Sequence, residues 1–164
     1  MIITIDGVAG AGKTTLAEFM SKEYENQLSV QVIHMDDLYY GWSDPFGSHL
    51  TKTLENIVAS HNAREPFVTT KFDWQLNIPG VELLIEPVDL LILEGVGAGQ
   101  RATRPFADTK IWIDLEPIVG LRRVLARDGF QIEDKMLGFL EQQRVHHLEE
   151  GTREAADFHV NGLH

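Results

Sequence analysis

The stretch that most constrains this chain is "GVAGAGKTT", residues 7 to 15, which directly follows the apolar run "MIITID". Gly7, four residues, then Gly12, Lys13 and Thr14 fit the pattern G-x-x-x-x-G-K-[ST], placed where a strand ends and a helix opens. Glycines at 7, 10 and 12 let the backbone bend until several N–H groups converge on an anion, and the helix behind them adds its positive amino end. The Lys13 ammonium suits the β- and γ-phosphates of ATP, the Thr14 hydroxyl a hard Mg2+ ion, and Thr15 a further phosphate oxygen. The expected nucleotide-binding set is Gly7, Ala9, Gly10, Ala11, Gly12, Lys13, Thr14 and Thr15. The alternative is a glycine-rich turn that binds nothing. A dinucleotide fold fits less well, because "GVAGAG" spaces its glycines as G-x-x-G-x-G, the reverse of the Rossmann order, and "EGVGAGQ" has Gln100 where a third glycine belongs. The chain holds no Asn-Lys-x-Asp with which a GTPase would read guanine.

Around that motif the β-branched or aliphatic runs "MIITID", "VQVIHM", "DLLILEG" and "KIWIDL" alternate with helix-period segments, the pattern of parallel strands joined by helical crossovers. Leu16, Phe19, Met20 and Tyr24 fall at i, i+3, i+4 and i+8 and predict one apolar helical face over residues 13 to 25. Helices are also predicted over 51 to 61, 117 to 127 and 132 to 150; the acid-rich "HHLEEGTREAAD" reads as solvated helix. From Gly41 to Gly47 and from Ala63 to Gly80 the text is rich in Gly, Pro, Asn and aromatics, so both read as excursions on the sheet's working edge. One α/β domain over 1–164 is expected, since domains average ~150 residues.

Composition narrows the partners. Lys and Arg number 14 against 25 Asp and Glu, a formal charge of −11, which disfavours nucleic acid and anionic membranes and requires any basic site to be local. Without cysteine there is neither a disulfide framework nor a thiolate metal site. The seven histidines are scattered apart from the adjacent His146 and His147, which point to different helix faces, so zinc is not expected. No run approaches the ~20 apolar residues of a membrane span, and no charged-then-apolar leader precedes Asp6, so a cytoplasmic protein is expected. The oligomeric state stays open, a homodimer included.

Three further segments carry chemistry. "VQVIHMDDLYY" brings Asp36, Asp37, Tyr39 and Tyr40 to the carboxyl end of the second apolar run, where an open parallel sheet holds its ligands. An acid beside the γ-phosphate can take the proton of an attacking hydroxyl, and Asp36 is the candidate base; a solvated acidic turn is the alternative. "DLLILEGVGAG" ends a continuous apolar run in Glu94, like a Walker B element. "LRRVLARDG" sets Arg123 and Arg127 at i and i+4, where planar guanidinium groups can grip phosphate oxygens as charge develops. Arg101 and Arg104 are lesser candidates.

With these residues in place the chain resembles the uridine kinase branch of P-loop kinases, which includes relatives of pantothenate kinase and phosphoribulokinase. Asp36 and Tyr39 match its Asp-x-Phe/Tyr-Tyr signature in register, which implies a catalytic base and an acceptor-shaping tyrosine. "KFDWQLN" resembles the family's Tyr-Asp-Phe segment, with Phe72, Asp73 and Trp74 implied at the acceptor. Where the family places a histidine and an arginine shortly after, this chain has Asn77 and Pro79. The aromatics could instead pack a loop against the core. The resemblance implies that Glu94 holds Mg2+ or positions Thr14, that residues 122–134 form a lid, and that residues 63–80 border the acceptor. It also implies a three-layer fold whose mainly parallel five-stranded sheet has the order 2-3-1-4-5. The expected activity is ATP-dependent transfer of a phosphoryl group to a small hydroxyl compound, a uridine- or cytidine-like nucleoside first. Pantothenate, a sugar, nicotinamide riboside, or a regulatory module that transfers nothing are the alternatives.

Overall fold

A computed structural model describes residues 1–163. In chain order its elements are β1 (Ile2–Gly7), α1 (Lys13–Tyr24), β2 (Val30–His34), the single turn α2 (Met35–Leu38) and α3 (Ser48–Ala63). There follow β3 (Phe67–Asp73), β4 (Ile78–Ile85), β5 (Leu90–Glu94), β6 (Thr109–Asp114), α4 (Pro117–Asp128), α5 (Glu133–Glu150) and β7 (Phe158–Asn161). Five strands form one sheet in the order β2-β5-β1-β6-β7, every pair parallel. With the separate β3-β4 hairpin set aside, that is the expected order 2-3-1-4-5, and the fold is the three-layer P-loop architecture.

Alternation along the central strands divides the core between the two faces of the sheet. Ile3, Ile5, Leu90 and Ile92 pack with Ala17 of α1, whereas Ile2, Leu91 and Leu93 pack with α3, α4 and α5. Each fully buried aliphatic side chain here is worth ~1.5–3 kcal/mol. Helix α3 buries Leu50, Leu54, Ile57 and Val58, a set spaced i, i+4, i+7, i+8, and α4 starts with Pro at its first position, where the missing N–H costs nothing.

Three expectations change. Only part of the apolar face proposed for α1 is inward: Ala17 is fully buried, Leu16 and Met20 are half-buried, but Phe19 is 60% and Tyr24 39% exposed. The phosphate loop fixes the helix's rotation by drawing Lys13 inward, and Phe19 then falls well off the buried side. The 63–80 excursion contains most of a β-hairpin: Val68, Thr69 and Thr70 alternate against β4 in antiparallel register, with a shift between Thr70 and Phe72 and a left-handed Asn77 in the turn. Finally, "HHLEEGTREAAD" is no solvated helix. α5 ends at Glu150, Gly151 takes the left-handed cap conformation, His146 is buried, and β7 follows as the edge strand beside β6.

Candidate functional site

The carboxyl ends of the parallel strands open onto a cavity of about 930 Å3. Its floor is the turn from β1 into α1. Gly12 caps the helix in the left-handed conformation, and no side chain caps the helix amides behind it. Of the loop's amides, that of Gly7 donates to Asp6 Oδ1 (2.7 Å), that of Ala9 to Gln143 Oε1 (2.8 Å) and that of Ala11 to Val8 O (3.1 Å). The amides of Gly10, Gly12, Lys13, Thr14 and Thr15 have no partner among the described residues and open the helix's positive end to an anion. The loop is braced from behind: Gly10 and Gly120 of α4 lie so close that a Cβ on Gly120 would stand 2.1 Å from Ala9 O.

Lys13 is buried and its Nζ donates to Gly7 O (2.9 Å) and Val8 O (2.8 Å). Burial pushes its ammonium below the ordinary lysine range, against the pull of Asp6, Glu94 and Asp36. Thr14 Oγ1 donates to Glu94 Oε1 at 3.0 Å, so a hydroxyl and a buried carboxylate, two hard oxygen donors, meet at one point. That pair fits Mg2+, which takes one or two protein oxygens and fills its shell with phosphate and water. No group of three or more His, Cys, Asp or Glu among the described residues could hold a metal. His34 Nδ1 also bonds Glu94 Oε1, and this contact raises the histidine's pKa while its partial burial opposes the shift.

Asp36 stands on the cavity wall at the start of α2, its backbone oxygen accepting from Trp74 Nε1 at 2.9 Å. Protein encloses it on most sides, and this raises its pKa; Lys13 and Arg127 lower it, while Glu94 and Asp37 raise it further. The side chain is nonetheless exposed to cavity water, which screens these charges. Tyr39 is buried and its hydroxyl donates to Val96 O at 2.7 Å, which makes the ring a fixed wall between Phe46, Trp74 and Phe139. Trp74 lines the cavity; Phe72 and Asp73 do not. Phe72 is buried against Tyr40 and Trp74, and Asp73 Oδ1 accepts the amides of Gln75 and Leu76, capping its own turn.

Arg123 and Arg127 both face the cavity. Arg123 donates to Gly162 O (2.7 Å) and Gly10 O (3.3 Å), and Arg127 grips Asp128 through two bonds. Arg101 and Arg104 lie elsewhere, joining the loop after β5 to the end of α5. Sequence reasoning missed the network beneath the loop. The buried Asp6 accepts from the amides of Gly7, Gly97 and Gly99 and pairs with His147 at 3.2 Å. Burial works against its charge, but the His147 contact and the amides outweigh it and hold Asp6 below the usual carboxylate range. Gln143 sits one turn before His147, a spacing the sequence does display.

Residues 3–146 match the model of a family described as AAA domain. The chain belongs to this family. A relative of this chain, a uridine kinase of Latilactobacillus sakei subsp. sakei (strain 23K), is 25% identical over 98% of this chain and 84% of its own length. A cytidylate kinase of Methanococcoides burtonii is 26% identical over 97% of the chain and 81% of the relative. Among solved structures, a possible uridine kinase from Bacillus stearothermophilus superposes with a TM-score of 0.70 at 20% identity, covering 98% of this chain and 88% of that one. A shikimate kinase from Bacteroides thetaiotaomicron does so at 0.58 and 16%, covering 99% and 86%. At these identities the solved structures establish the fold alone. No helix among the described residues is long and apolar enough to cross a membrane.

Proposed function

We propose that this protein is a kinase that transfers the γ-phosphoryl group of ATP to a hydroxyl of a small molecule. The observation that carries the reading is the placement, within one cavity, of a helix start whose amides no side chain caps and of the Asp36 carboxyl on the facing wall. The free amides and Lys13 would hold the triphosphate tail, and Arg123 and Arg127 would offset charge on the departing ADP. Thr14 and Glu94 would hold Mg2+, which supplies electrophilic stabilisation of the phosphate oxygens when bound. Asp36 would accept the hydroxyl proton; its elevated pKa makes it a better base than a solvated aspartate. Residues 122–134, with the turn at Gly129 between α4 and α5, would close as a lid and keep water from the γ-phosphate. The names of the relatives support a pyrimidine nucleoside and a pyrimidine nucleotide as the first acceptors to test.

The test is a panel of hydroxyl compounds with mass detection of the products. ADP is expected to accumulate only with a competent acceptor, and Asp36→Ala should lower turnover by ~10²–10⁴ while ATP still binds. ATP binding with no phosphorylated product across the panel would instead favour a regulatory module that transfers nothing.

A further inference from the structure

The acceptor end of the cavity is walled by Trp42, Trp74, Ile132, Met136 and Phe139. Trp42 packs on Trp74 at 5.0 Å and on Phe139 at 6.2 Å between ring centroids, a continuous apolar surface. The polar groups that could read the edge of a neutral base are already engaged. Tyr39 donates to Val96 O and Trp74 to Asp36 O, and Asp73, held in its own turn, lies outside the cavity. Two charged heads remain at this end, Asp36 and Lys135.

Lys135, on the first turn of α5, places Nζ 5.8 Å from the centre of the Trp42 ring. It has no carboxylate partner among the described residues. Glu133 and Asp134 precede it but line no part of the cavity, and Asp128, which does, is gripped by Arg127. The other cations of the cavity, Lys13, Arg123 and Arg127, belong to the phosphate loop and the segment facing it. In a chain of net charge −11 the four cavity cations outnumber the three carboxylates there, Asp36, Glu94 and Asp128. The lining thus carries a formal excess of one positive charge, and Lys135 is its one cation at the end away from the phosphate loop.

We propose that the acceptor is a compact hydroxyl compound bearing an anionic group, carboxylate or phosphate, seated on Lys135. Its body lies along Trp42 and Trp74 and its hydroxyl points to Asp36. The inference rests on the kinase reading and sharpens it. In the transfer the acceptor oxygen forms the new bond to the γ-phosphorus, and the bond from that phosphorus to the β,γ-bridging oxygen breaks. The electron pair leaves with ADP, and the hydroxyl proton passes to Asp36. Lys135 takes no part in bond making; it positions the acceptor, so its loss acts on acceptor KM and leaves kcat and the KM for ATP in place.

The experiment compares three arms under saturating MgATP: neutral acceptors (uridine, cytidine, fructose), hydroxycarboxylates (shikimate, pantothenate) and sugar phosphates (ribose 5-phosphate, fructose 6-phosphate). At least one anionic arm should exceed every neutral compound in kcat/KM by tenfold or more, and the better anionic arm tells carboxylate from phosphate. Lys135→Ala should raise that acceptor's KM about tenfold with kcat within twofold, and Lys135→Arg should recover most of the loss. A neutral nucleoside as the best acceptor, or an unchanged acceptor KM in Lys135→Ala, overturns the anion seat and leaves the kinase intact. No product in any arm overturns the kinase. Calorimetry with MgADP present then still decides the seat: anionic compounds that bind wild type and not Lys135→Ala uphold it, and equal or absent binding removes it.

Discussion

Asp36 occupies a position where its own ionisation is disfavoured, because the cleft encloses it and Glu94 and Asp37 share its field. A raised folded-state pKa means that the folded protein holds this proton more tightly than the unfolded chain does. The stabilising contribution is therefore complete below the ordinary aspartate range and is lost as pH rises through the raised value. At neutral pH the ionised group destabilises the fold, while the same upward shift suits it to take a proton from an acceptor. Asp36→Asn should accordingly melt at a higher temperature than wild type at pH 7, an advantage that fades as pH falls through the raised value and is gone by about pH 4, and lose turnover by ~10² or more. If Asp36 is the base, the acidic limb of kcat in wild type should lie above the ordinary carboxylate range, since a base must be ionised to act. Calorimetric melting and a pH–rate profile check both; an Asn variant that melts lower, or turns over normally, removes Asp36 from the role.

Helix α5 joins the proposed acceptor end of the cavity to the phosphate loop, with Lys135, Met136 and Phe139 lining the cavity and Gln143 and His147 beneath the loop. Gln143 is 2% exposed, and its oxygen receives the Ala9 amide; an amide orphaned there costs ~1–3 kcal/mol. Gln143→Met keeps the length of the side chain and removes the oxygen. It should raise the KM for ATP about tenfold through loosening of the loop, and steady-state kinetics with a change under twofold would show the loop keeps its shape without the bond. The i, i+4, i+7 pattern of Ile132, Met136 and Phe139 made α5 readable as a helix, yet nothing in it distinguished Gln143 from a surface glutamine. That distinction is long-range, since Ala9 and Gln143 meet only after the sheet has formed. Local pattern likewise displayed the phosphate loop, β5 and Glu94, where apolar continuity and glycine spacing act within a few residues. It failed for β7, four exposed residues with no burial rhythm, and for β3, whose alternating Val68, Thr69 and Thr70 lay in a stretch read by its Asn, Gly and Pro.

At the scale of the molecule, parallel crossovers carry the phosphate loop, Asp36 and Glu94 to one end of the sheet, and Asp6 ties that end together. Its carboxylate gathers amides from the end of β1 and from the loop after β5, along with His147 of α5. An anion bound at the loop therefore stabilises a cooperative unit rather than a mobile flap. A ligand at a hundred times its dissociation constant adds ~2.7 kcal/mol to the native state, and a chain of this size melts ~2–4 °C higher per kcal/mol, so MgATP should raise the melting temperature by about 5–11 °C. Lys13→Met separates that gain from the fold's intrinsic stability. Burial depresses the Lys13 pKa, so the charged lysine destabilises the folded state below its ordinary range, and replacing it relieves that penalty while giving up the bonds to Gly7 O and Val8 O. The variant should melt within a few degrees of wild type without nucleotide and show almost none of the MgATP shift. Differential scanning calorimetry with and without MgATP decides the matter, and a full shift in Lys13→Met would move the triphosphate away from this loop.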